Sequence, residues 1–490
     1  MGGDRATERD VGRGSQRPTA ELARAVFSFG TARVASQFGM FVIMVALART
    51  CGPEAFGAVS FALAMVAILY TPADFGTSAG IQRFVGELGE SILRPAFAVK
   101  LIASCLTAVA VWLLDRHLGL FHGLGGWIAV IVATSAFPFV IMAENARKRF
   151  RIAGALQVAM TIVFGIGALA GSVEWDPVNG PLAARAVSFT LMGLALAPIL
   201  RAGAARWKSS LRALWEMGSA VMANGVFTQV VTRADVVLIA YMAGFEATGV
   251  YRAALTLGSI PLLLQPLFHV PFMPVIATQL QAGRKDVVRR LHRLSTAALA
   301  MAVLPILMGG WVFAGPLLAR FYGNDYAGAI WVLRLLLVGS SAQVLLAPMG
   351  GILYMAGQVK VVASATALAA AVLLVASFAA IPTSGGTGAA AAACAAQVSW
   401  LVFVTILYHR RHPLRLAEWR VGPLGAVAAV TLAVAIAARP LADDWPGLLG
   451  ALALTSAVYV AALGAIGLLA PGRVLSLLRS ESAQPPRATD

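Results

Sequence analysis

Long apolar segments alternate with short polar connections along nearly the whole chain. A helix needs about 20 apolar residues to span the hydrocarbon core of a bilayer, and runs of this length recur. The runs lack the two-residue alternation of membrane β-strands, so the pattern predicts an all-α integral membrane protein. About fourteen transmembrane helices are expected, near residues 25–47, 57–80, 96–114, 127–146, 153–172, 182–200, 215–243, 248–278, 295–318, 328–350, 360–381, 387–408, 421–438 and 446–469.

Composition agrees with a membrane protein. Hydrophobic residues make up 59% of the chain and charged residues 12%, whereas a soluble domain carries roughly 25% charged residues. The polar segment 1–20 lacks the apolar core of a signal peptide, so we expect a disordered cytoplasmic tail there and a second tail at 473–490. No metal site, cofactor or disulfide framework is expected, because the three cysteines are scattered: Cys51, Cys105 and Cys394.

The net charge of +16 raises the question of a nucleic-acid partner, and the distribution of charge argues against one. Lys and Arg concentrate in alternate connections between the predicted helices, as the positive-inside rule describes for cytoplasmic loops. Both termini are therefore expected in the cytoplasm. We interpret the basic clusters at 146–151, 283–293 and 408–420 as topology determinants that contact anionic membrane lipids, with binding of a specific cytoplasmic partner as the alternative.

Four arginines lie inside predicted membrane helices: Arg33, Arg233, Arg252 and Arg334. Each would cost roughly 2.5–3.5 kcal/mol at a helix centre. Arg252 and Arg334 lie within a turn or two of a helix end, where a long side chain can reach the headgroups. Arg33 and Arg233 lie deeper, so we expect them to face a hydrated interior.

The chain contains an internal repeat. Residues 36–63 and 228–255 align without a gap at a constant offset of 192 positions, and nine of the 28 aligned residues are identical. Helices 1 and 7 both start on the cytoplasmic side, so the copies are parallel repeats, one of the common transporter plans. We predict two six-helix lobes, at 21–202 and 203–410, followed by helices 13 and 14 within 411–472. The substrate path is expected between the lobes.

A G-x-E-A-x-G motif lies in the turn of both copies. Glycine ends a helix by adopting positive φ, and a glutamate near the next helix N-terminus is stabilised by the helix dipole. The motif predicts a tight outer hairpin in each lobe, and a structural role is favoured over a substrate role. The hinge residues are Gly52, Glu54 and Gly57 in the first copy and Gly244, Glu246 and Gly249 in the second.

Three parts of the sequence resemble bacterial polysaccharide flippases, the Wzx-like branch of the multidrug/oligosaccharidyl-lipid/polysaccharide exporter superfamily. They are ALARTCGPEAFGAVSFAL followed by ADFGTSAGIQRFV, ATGVYRAALTLGSIPLLLQPLFHVPFMPVIA, and FYGNDYAGAIWVLRLLL. The resemblance covers roughly residues 22–410. It implies a lipid-linked oligosaccharide, carried on undecaprenyl diphosphate and turned to the periplasmic leaflet by alternating access. The resemblance also implies that the protein functions with a polysaccharide polymerase and glycosyltransferases at the inner membrane. The pathway would be exopolysaccharide, capsule or O-antigen synthesis.

A diphosphate-sugar substrate requires cationic hydrogen-bond donors in a shielded cavity. Arg33 and Arg233 are the candidates for phosphate binding, with an intramembrane salt bridge as the alternative. Gln37 and Gln229 are equivalent across the repeat and are candidates for sugar hydroxyls, with polar contacts between helices as the alternative.

Two carboxylates are candidates for ion coupling. Asp235 follows Arg233 by two residues, which places it on another helix face, so its partner must come from elsewhere. The alternative for Asp235 is a polar group near the outer membrane interface. Asp74 lies at a break late in helix 2, between Pro72 and Gly76, where a local capping role is the favoured alternative.

Other functions fit the sequence less well. The short connections hold no paired carboxylate beside a histidine, and no P-loop occurs, so neither an enzyme nor direct use of ATP is expected. A multidrug or cation exporter would need an acidic cavity, whereas the deepest charges here are arginines. A lipid II flippase would suit fourteen helices, although the motifs are closer to those of the polysaccharide type.

Overall fold

The computed structural model describes residues 17–201, 207–411 and 421–465, and among these it contains helices and no strand. The all-α prediction is confirmed. The α-helices of the first part are α1 (Arg17–Asp74), α2 (Thr77–Leu88), α3 (Leu93–Leu118), α4 (Gly125–Thr134), α5 (Phe139–Ala146), α6 (Phe150–Glu174), α7 (Asn179–Met192), α8 (Ala197–Leu200) and α9 (Trp207–Gly258). Those of the second part are α10 (Gln265–Gln281), α11 (Lys285–Val312), α12 (Ala314–Tyr322), α13 (Ile330–Met355), α14 (Val359–Arg411), α15 (Val421–Ala438) and α16 (Trp445–Ala465).

Short 3₁₀ helices connect some of these elements, at Gly89–Ile92, Gly193–Leu196, Ile260–Leu264, Asn324–Ala329 and Arg439–Leu441. Much of the predicted N-terminal tail, the whole tail at 473–490, and part of the basic cluster at 408–420 lie outside the described residues. Helix α1 begins at Arg17, inside the segment predicted as a tail.

Eight helical segments in the described part of the chain are long and apolar enough to cross a membrane. Several exceed one crossing: the segment Gly30–Leu118 has 89 residues and Lys360–Tyr408 has 49, whereas one span takes about 20. Each of these two segments therefore contains more than one of the predicted spans. The protein is a multi-pass membrane protein, and the count of fourteen stays a prediction.

Three glycines interrupt long helices with a non-helical conformation. Gly52 in α1 has φ 74° and ψ 172°, Gly244 in α9 has φ 86° and ψ 175°, and Gly385 in α14 has φ 52° and ψ −127°. Gly52 and Gly244 are equivalent in the sequence repeat and adopt nearly the same conformation. The positive φ predicted for the turn glycines is confirmed at both positions.

The chain divides into two compact units. The first comprises Met1–Ala253 and Ser377–Ala389, and the second comprises Ala254–Ala376 and Ala390–Asp490. The sequence-based lobe boundaries, which follow the repeat, stay a prediction.

The core of the first unit is formed by helices that pack around α1. Helix α1 contacts α3, α4 and α6, while α6 also packs against α7, and α3 against α4. Phe61, Phe97 and Phe139 are among its buried aromatic residues. Residues of α1, α6 and α7 also line the candidate site described below, together with residues of α5 and α9.

The second unit has its own core between α10, α11 and α13. Val303, Val344 and Ile352 are fully buried there. Helices α15 and α16, which contain the described parts of predicted helices 13 and 14, pack against each other and against α11.

Candidate functional site

A cavity of about 340 Å³ lies within the first unit. Its wall is formed by both halves of α1 and by α5, α6, α7 and α9. The lining residues are Met40, Met44, Ser60, Leu63, Ala64, Val66, Ala67, Tyr70, Pro138, Ile141, Met142, Gln157, Met160, Arg185, Phe189, Gln229, Arg233 and Arg252. The cavity is therefore lined by segments far apart in sequence.

Three arginines line this cavity, and none of its lining residues is acidic. The Arg185 guanidinium lies over the rings of Phe189, at 4.4 Å from the centroid, and Phe164, at 5.1 Å. The Nε atom of Arg233 is buried without a hydrogen-bond partner among the described residues. Guanidinium groups bind carboxylate and phosphate oxygens through paired donors. The lining can thus bind an anion and would repel a cation.

Methionines supply part of the apolar wall: Met40 and Met44 on α1, Met142 on α5 and Met160 on α6. Their unbranched, polarisable side chains adapt to ligands of different shape. Gln157 and Gln229 add amide groups, each with donor and acceptor capacity. The cavity therefore combines a cationic side with an adaptable apolar side.

Two of the four predicted substrate-binding residues, Arg233 and Gln229, line the cavity. Arg33 and Gln37 are exposed on the first half of α1 and lie outside the lining. The equivalence of Gln37 and Gln229 in sequence does not extend to their surroundings.

Two cavity arginines are not anticipated by the sequence. The charge distribution predicts Arg185 on the outer side of the membrane and Arg252 within reach of the headgroups, yet both line the cavity. Arg252 is equivalent to Ser60 at the offset of 192, and both residues line the cavity, so the repeat relates two cavity positions. No signal of that kind exists for Arg185.

Asp235 is buried, and its side-chain partner comes from the part of α9 beyond the Gly244 break. One carboxylate oxygen accepts a hydrogen bond from the Tyr251 hydroxyl at 2.5 Å, and the other accepts one from the backbone N–H of Val236 at 2.8 Å. Arg233 and Arg252 also act on this carboxylate through their charge. Asp235 therefore lies near two cavity arginines without being part of the lining.

Asp74 is the last residue of α1, and its hydrogen bonds stabilise the turn that follows the helix. Phe75 and Gly76 both adopt positive φ, 46° and 69°. The Asp74 carboxylate accepts hydrogen bonds from the Ser78 hydroxyl at 2.6 Å and from the Ser78 backbone N–H at 3.2 Å. Thr77 donates its hydroxyl to the Asp74 backbone carbonyl at 2.7 Å. This is the geometry of a local cap, while the role of Asp74 in ion coupling stays a prediction.

Lys100 connects Asp74 to the cavity, and the sequence pattern does not single it out. Its side chain on α3 is fully buried, forms an ion pair with Asp74, and donates from Nζ to the Tyr70 hydroxyl oxygen at 2.8 Å. Nζ also lies 4.4 Å from the centroid of the Tyr70 ring. Tyr70 lines the cavity, so a buried ion pair is linked to the cavity surface through one phenol.

The hinge motifs of the two copies cross each other. A Cβ on Gly57 would lie 1.8 Å from the Phe245 carbonyl oxygen, and a Cβ on Gly249 would lie 1.8 Å from the Pro53 carbonyl oxygen. Only glycine permits this backbone approach. Glu54 and Glu246 are exposed beside the crossing and outside the cavity lining.

A second close contact lies at the other end of the same helix segment. A Cβ on Gly76 would lie 2.7 Å from the Cα of Gly218, and a Cβ on Gly218 would lie 2.6 Å from the Phe75 carbonyl oxygen. The cavity residues of the second half of α1, from Ser60 to Tyr70, lie between these two contacts along the helix.

Comparison with known proteins gives a family and a fold. A family model described as "Polysaccharide biosynthesis protein" matches residues 46–331. A curated relative, the probable low-salt glycan biosynthesis flippase Agl15 of Haloferax volcanii, is 22% identical over 333 residues, which cover 64% of this chain and 68% of that protein.

Two solved transporter structures share the fold. The lipid II flippase MurJ in an inward closed conformation has a TM-score of 0.70 at 13% identity, covering 89% of this chain and 98% of MurJ. The MATE transporter VcmN of Vibrio cholerae has a TM-score of 0.58 at 17% identity, covering 82% of this chain and 99% of VcmN. At these identities the likeness concerns the architecture of the helices.

Proposed function

Since the chain belongs to the polysaccharide biosynthesis protein family, we propose that it flips a lipid-linked oligosaccharide across the bacterial inner membrane. The carrier lipid in this proposal is undecaprenyl diphosphate, and the direction is from the cytoplasmic to the periplasmic leaflet. Solved structures with this fold include a flippase and a transporter. Transport by alternating access, with both termini cytoplasmic, completes the proposal.

The observation that carries this proposal is the charge of the cavity. Arg185, Arg233 and Arg252 line it without an acidic residue among the lining. A diphosphate carries negative charge on oxygens that accept hydrogen bonds, which guanidinium groups recognise with two parallel donors. Such contacts are stronger where protein replaces part of the surrounding water. An anionic headgroup therefore fits the site.

The cavity chemistry argues against export of cationic drugs. A cation would meet three guanidinium groups and no carboxylate in the lining, and like charges repel at short range. Lipid II carries the same diphosphate group as a lipid-linked repeat unit. The protein must therefore distinguish the two substrates by their sugars. The oligosaccharide would be supplied by membrane glycosyltransferases and consumed by a polymerase.

The proposal is tested by deletion and complementation in the host. Surface polysaccharide and undecaprenyl-diphosphate-linked oligosaccharide in the inner leaflet are measured before and after the gene is restored. We expect the lipid-linked repeat unit to accumulate without the gene and to clear with the wild type. Arg233→Met and Arg185→Met should clear it poorly, since each removes a phosphate donor from the cavity.

Arg116→Met is the matched control, because Arg116 is exposed over the Trp112 ring and lies outside the cavity lining. Accumulation of lipid II alone would show that the protein flips the peptidoglycan precursor instead. Unchanged polysaccharide together with a rise in sensitivity to cationic drugs would contradict the proposal and favour a multidrug exporter.

A further inference from the structure

The Tyr70 hydroxyl accepts a hydrogen bond from Lys100, and its own proton finds no acceptor among the described residues. Lys100 Nζ lies 2.8 Å from the Tyr70 oxygen. An ammonium group has only donors, so the phenol oxygen must accept this hydrogen bond. The hydroxyl proton then points elsewhere, and the described residues provide no acceptor for it. Tyr70 lines the cavity, where a ligand can supply one.

Lys100 is held in this donor role by its surroundings. Its side chain is 0% exposed, and a buried ammonium stays charged only when it is paired. Asp74 supplies the opposite charge, and that carboxylate is itself fixed by Ser78 at the start of α2. The order of contacts is therefore Asp74, Lys100, Tyr70 and then the cavity.

We propose that Tyr70 is a ligand for the anionic headgroup of the transported lipid and that Lys100 is its positioning residue. This inference rests on the proposed function and adds residues to the same site. Phosphate oxygens offer acceptors only, which suits a hydroxyl whose free position is a donor. A hydroxyl that accepts from an ammonium is also polarised toward donation, because linked hydrogen bonds strengthen one another.

Tyr70 differs from the cavity arginines in what it can recognise. Its hydroxyl is attached to a rigid ring on the helix segment between the Gly57 and Gly76 contacts. The donor is therefore fixed in position, whereas a long arginine side chain can adjust. A fixed donor favours a headgroup whose phosphate oxygens reach one particular point in the cavity.

The alternative is that Asp74, Lys100 and Tyr70 only hold α1, α2 and α3 together. If the cluster had only this structural role, removing the Tyr70 hydroxyl alone would leave ligand affinity unchanged. Tyr70→Phe makes this distinction, because it keeps the ring and the Asp74–Lys100 ion pair and deletes only the Tyr70 hydroxyl.

The experiment uses the purified full chain in detergent and farnesyl diphosphate as the probe, with farnesol as its uncharged counterpart. Intrinsic tryptophan fluorescence reports binding. We expect Tyr70→Phe to weaken binding of farnesyl diphosphate about tenfold or more, since the lost hydrogen bond is to a charged group. Binding of farnesol should not change. Tyr241→Phe is the matched control, because its hydroxyl donates to the Leu120 carbonyl outside the cavity lining.

The outcomes separate this inference from the proposed function. If the wild type does not bind farnesyl diphosphate, the proposed function fails and the inference fails with it. If the wild type binds, and Arg233→Met weakens binding while Tyr70→Phe does not, the inference alone is overturned.

The role of Lys100 is tested by removing the ion pair as a unit, with Lys100→Met and Asp74→Asn together, so that no carboxylate is left unpaired. We expect this double variant to bind farnesyl diphosphate about threefold or more weakly, because the hydroxyl is no longer oriented. The same double change in a Tyr70→Phe background should have no further effect. An equal loss in both backgrounds would overturn the positioning role.

Discussion

Gly57 and Gly249 occupy equivalent positions of the sequence repeat and make reciprocal contacts. Each faces a carbonyl oxygen of the other copy, at Phe245 and Pro53, and these two residues are themselves equivalent at the offset of 192. Reciprocal contacts between equivalent residues are the mark of a local two-fold relationship. The duplication inferred from sequence thus has a structural counterpart at this crossing.

This crossing predicts that neither glycine tolerates a side chain. Gly57→Ala and Gly249→Ala would each place Cβ 1.8 Å from a carbonyl oxygen, so the backbones must separate. We expect each to lower the free energy of unfolding by about 1–3 kcal/mol, as overpacking does, and to lower flipping. Thermal unfolding in detergent measures the first effect. Gly126→Ala is the control, because no atom lies within 4 Å of its Cβ position; equal stability of all three variants would contradict the crossing.

Substitution of the hinge glycines Gly52 and Gly244 should destabilise the protein for a different reason. Neither has an atom within 4 Å of the position that a Cβ would occupy, yet both combine positive φ with ψ near 180°. That region is accessible essentially to glycine alone, at a cost of about 1–3 kcal/mol for other residues. Gly52→Ala and Gly52→Asn should therefore destabilise the protein similarly in thermal unfolding. If Gly52→Asn were well tolerated, the turn would be an ordinary left-handed helix cap instead.

The Asp235–Tyr251 hydrogen bond predicts a strong effect of losing one phenol hydroxyl. Tyr251 is fully buried and donates to the carboxylate at 2.5 Å. Tyr251→Phe should lower the free energy of unfolding by about 1–3 kcal/mol, because it leaves a buried carboxyl oxygen without its hydrogen-bond partner. In an Asp235→Asn background the same change should matter less. Both comparisons are measured by thermal unfolding. Equal losses in the two backgrounds would show that the Asp235–Tyr251 hydrogen bond does not cause the loss of stability.

The Asp74–Lys100 ion pair predicts that single substitutions are worse than the double one. Lys100→Met leaves a buried carboxylate without its counter-charge, which costs about 3–5 kcal/mol. Adding Asp74→Asn should restore most of the lost stability. Lys285→Met, at an exposed lysine that begins α11, serves as the control and should be close to neutral. Unfolding of the purified variants tests this order, and additive losses would contradict it.

The class of protein, the helical architecture and the repeat follow from the sequence without further information. Lipid offers the backbone no hydrogen-bond partners, so long apolar runs must form helices, and glycine at Gly52 and Gly244 marks the turns because few other residues adopt their conformation. Family resemblance in the repeat and its neighbourhood agrees with the family model that matches residues 46–331. These properties depend on local pattern, which one sequence displays fully.

Which polar residues meet depends instead on how the helices pack. Lipid and protein interior are both apolar, so the hydrophobic pattern of a membrane helix does not reveal which face is buried. Arg33 and Arg233 therefore look alike in sequence, yet only Arg233 lines the cavity. Arg185 and Lys100 look like residues near helix ends, and it is the packing of α1 against α3 and α6, and of α6 against α7, that brings them to the cavity wall and to Tyr70.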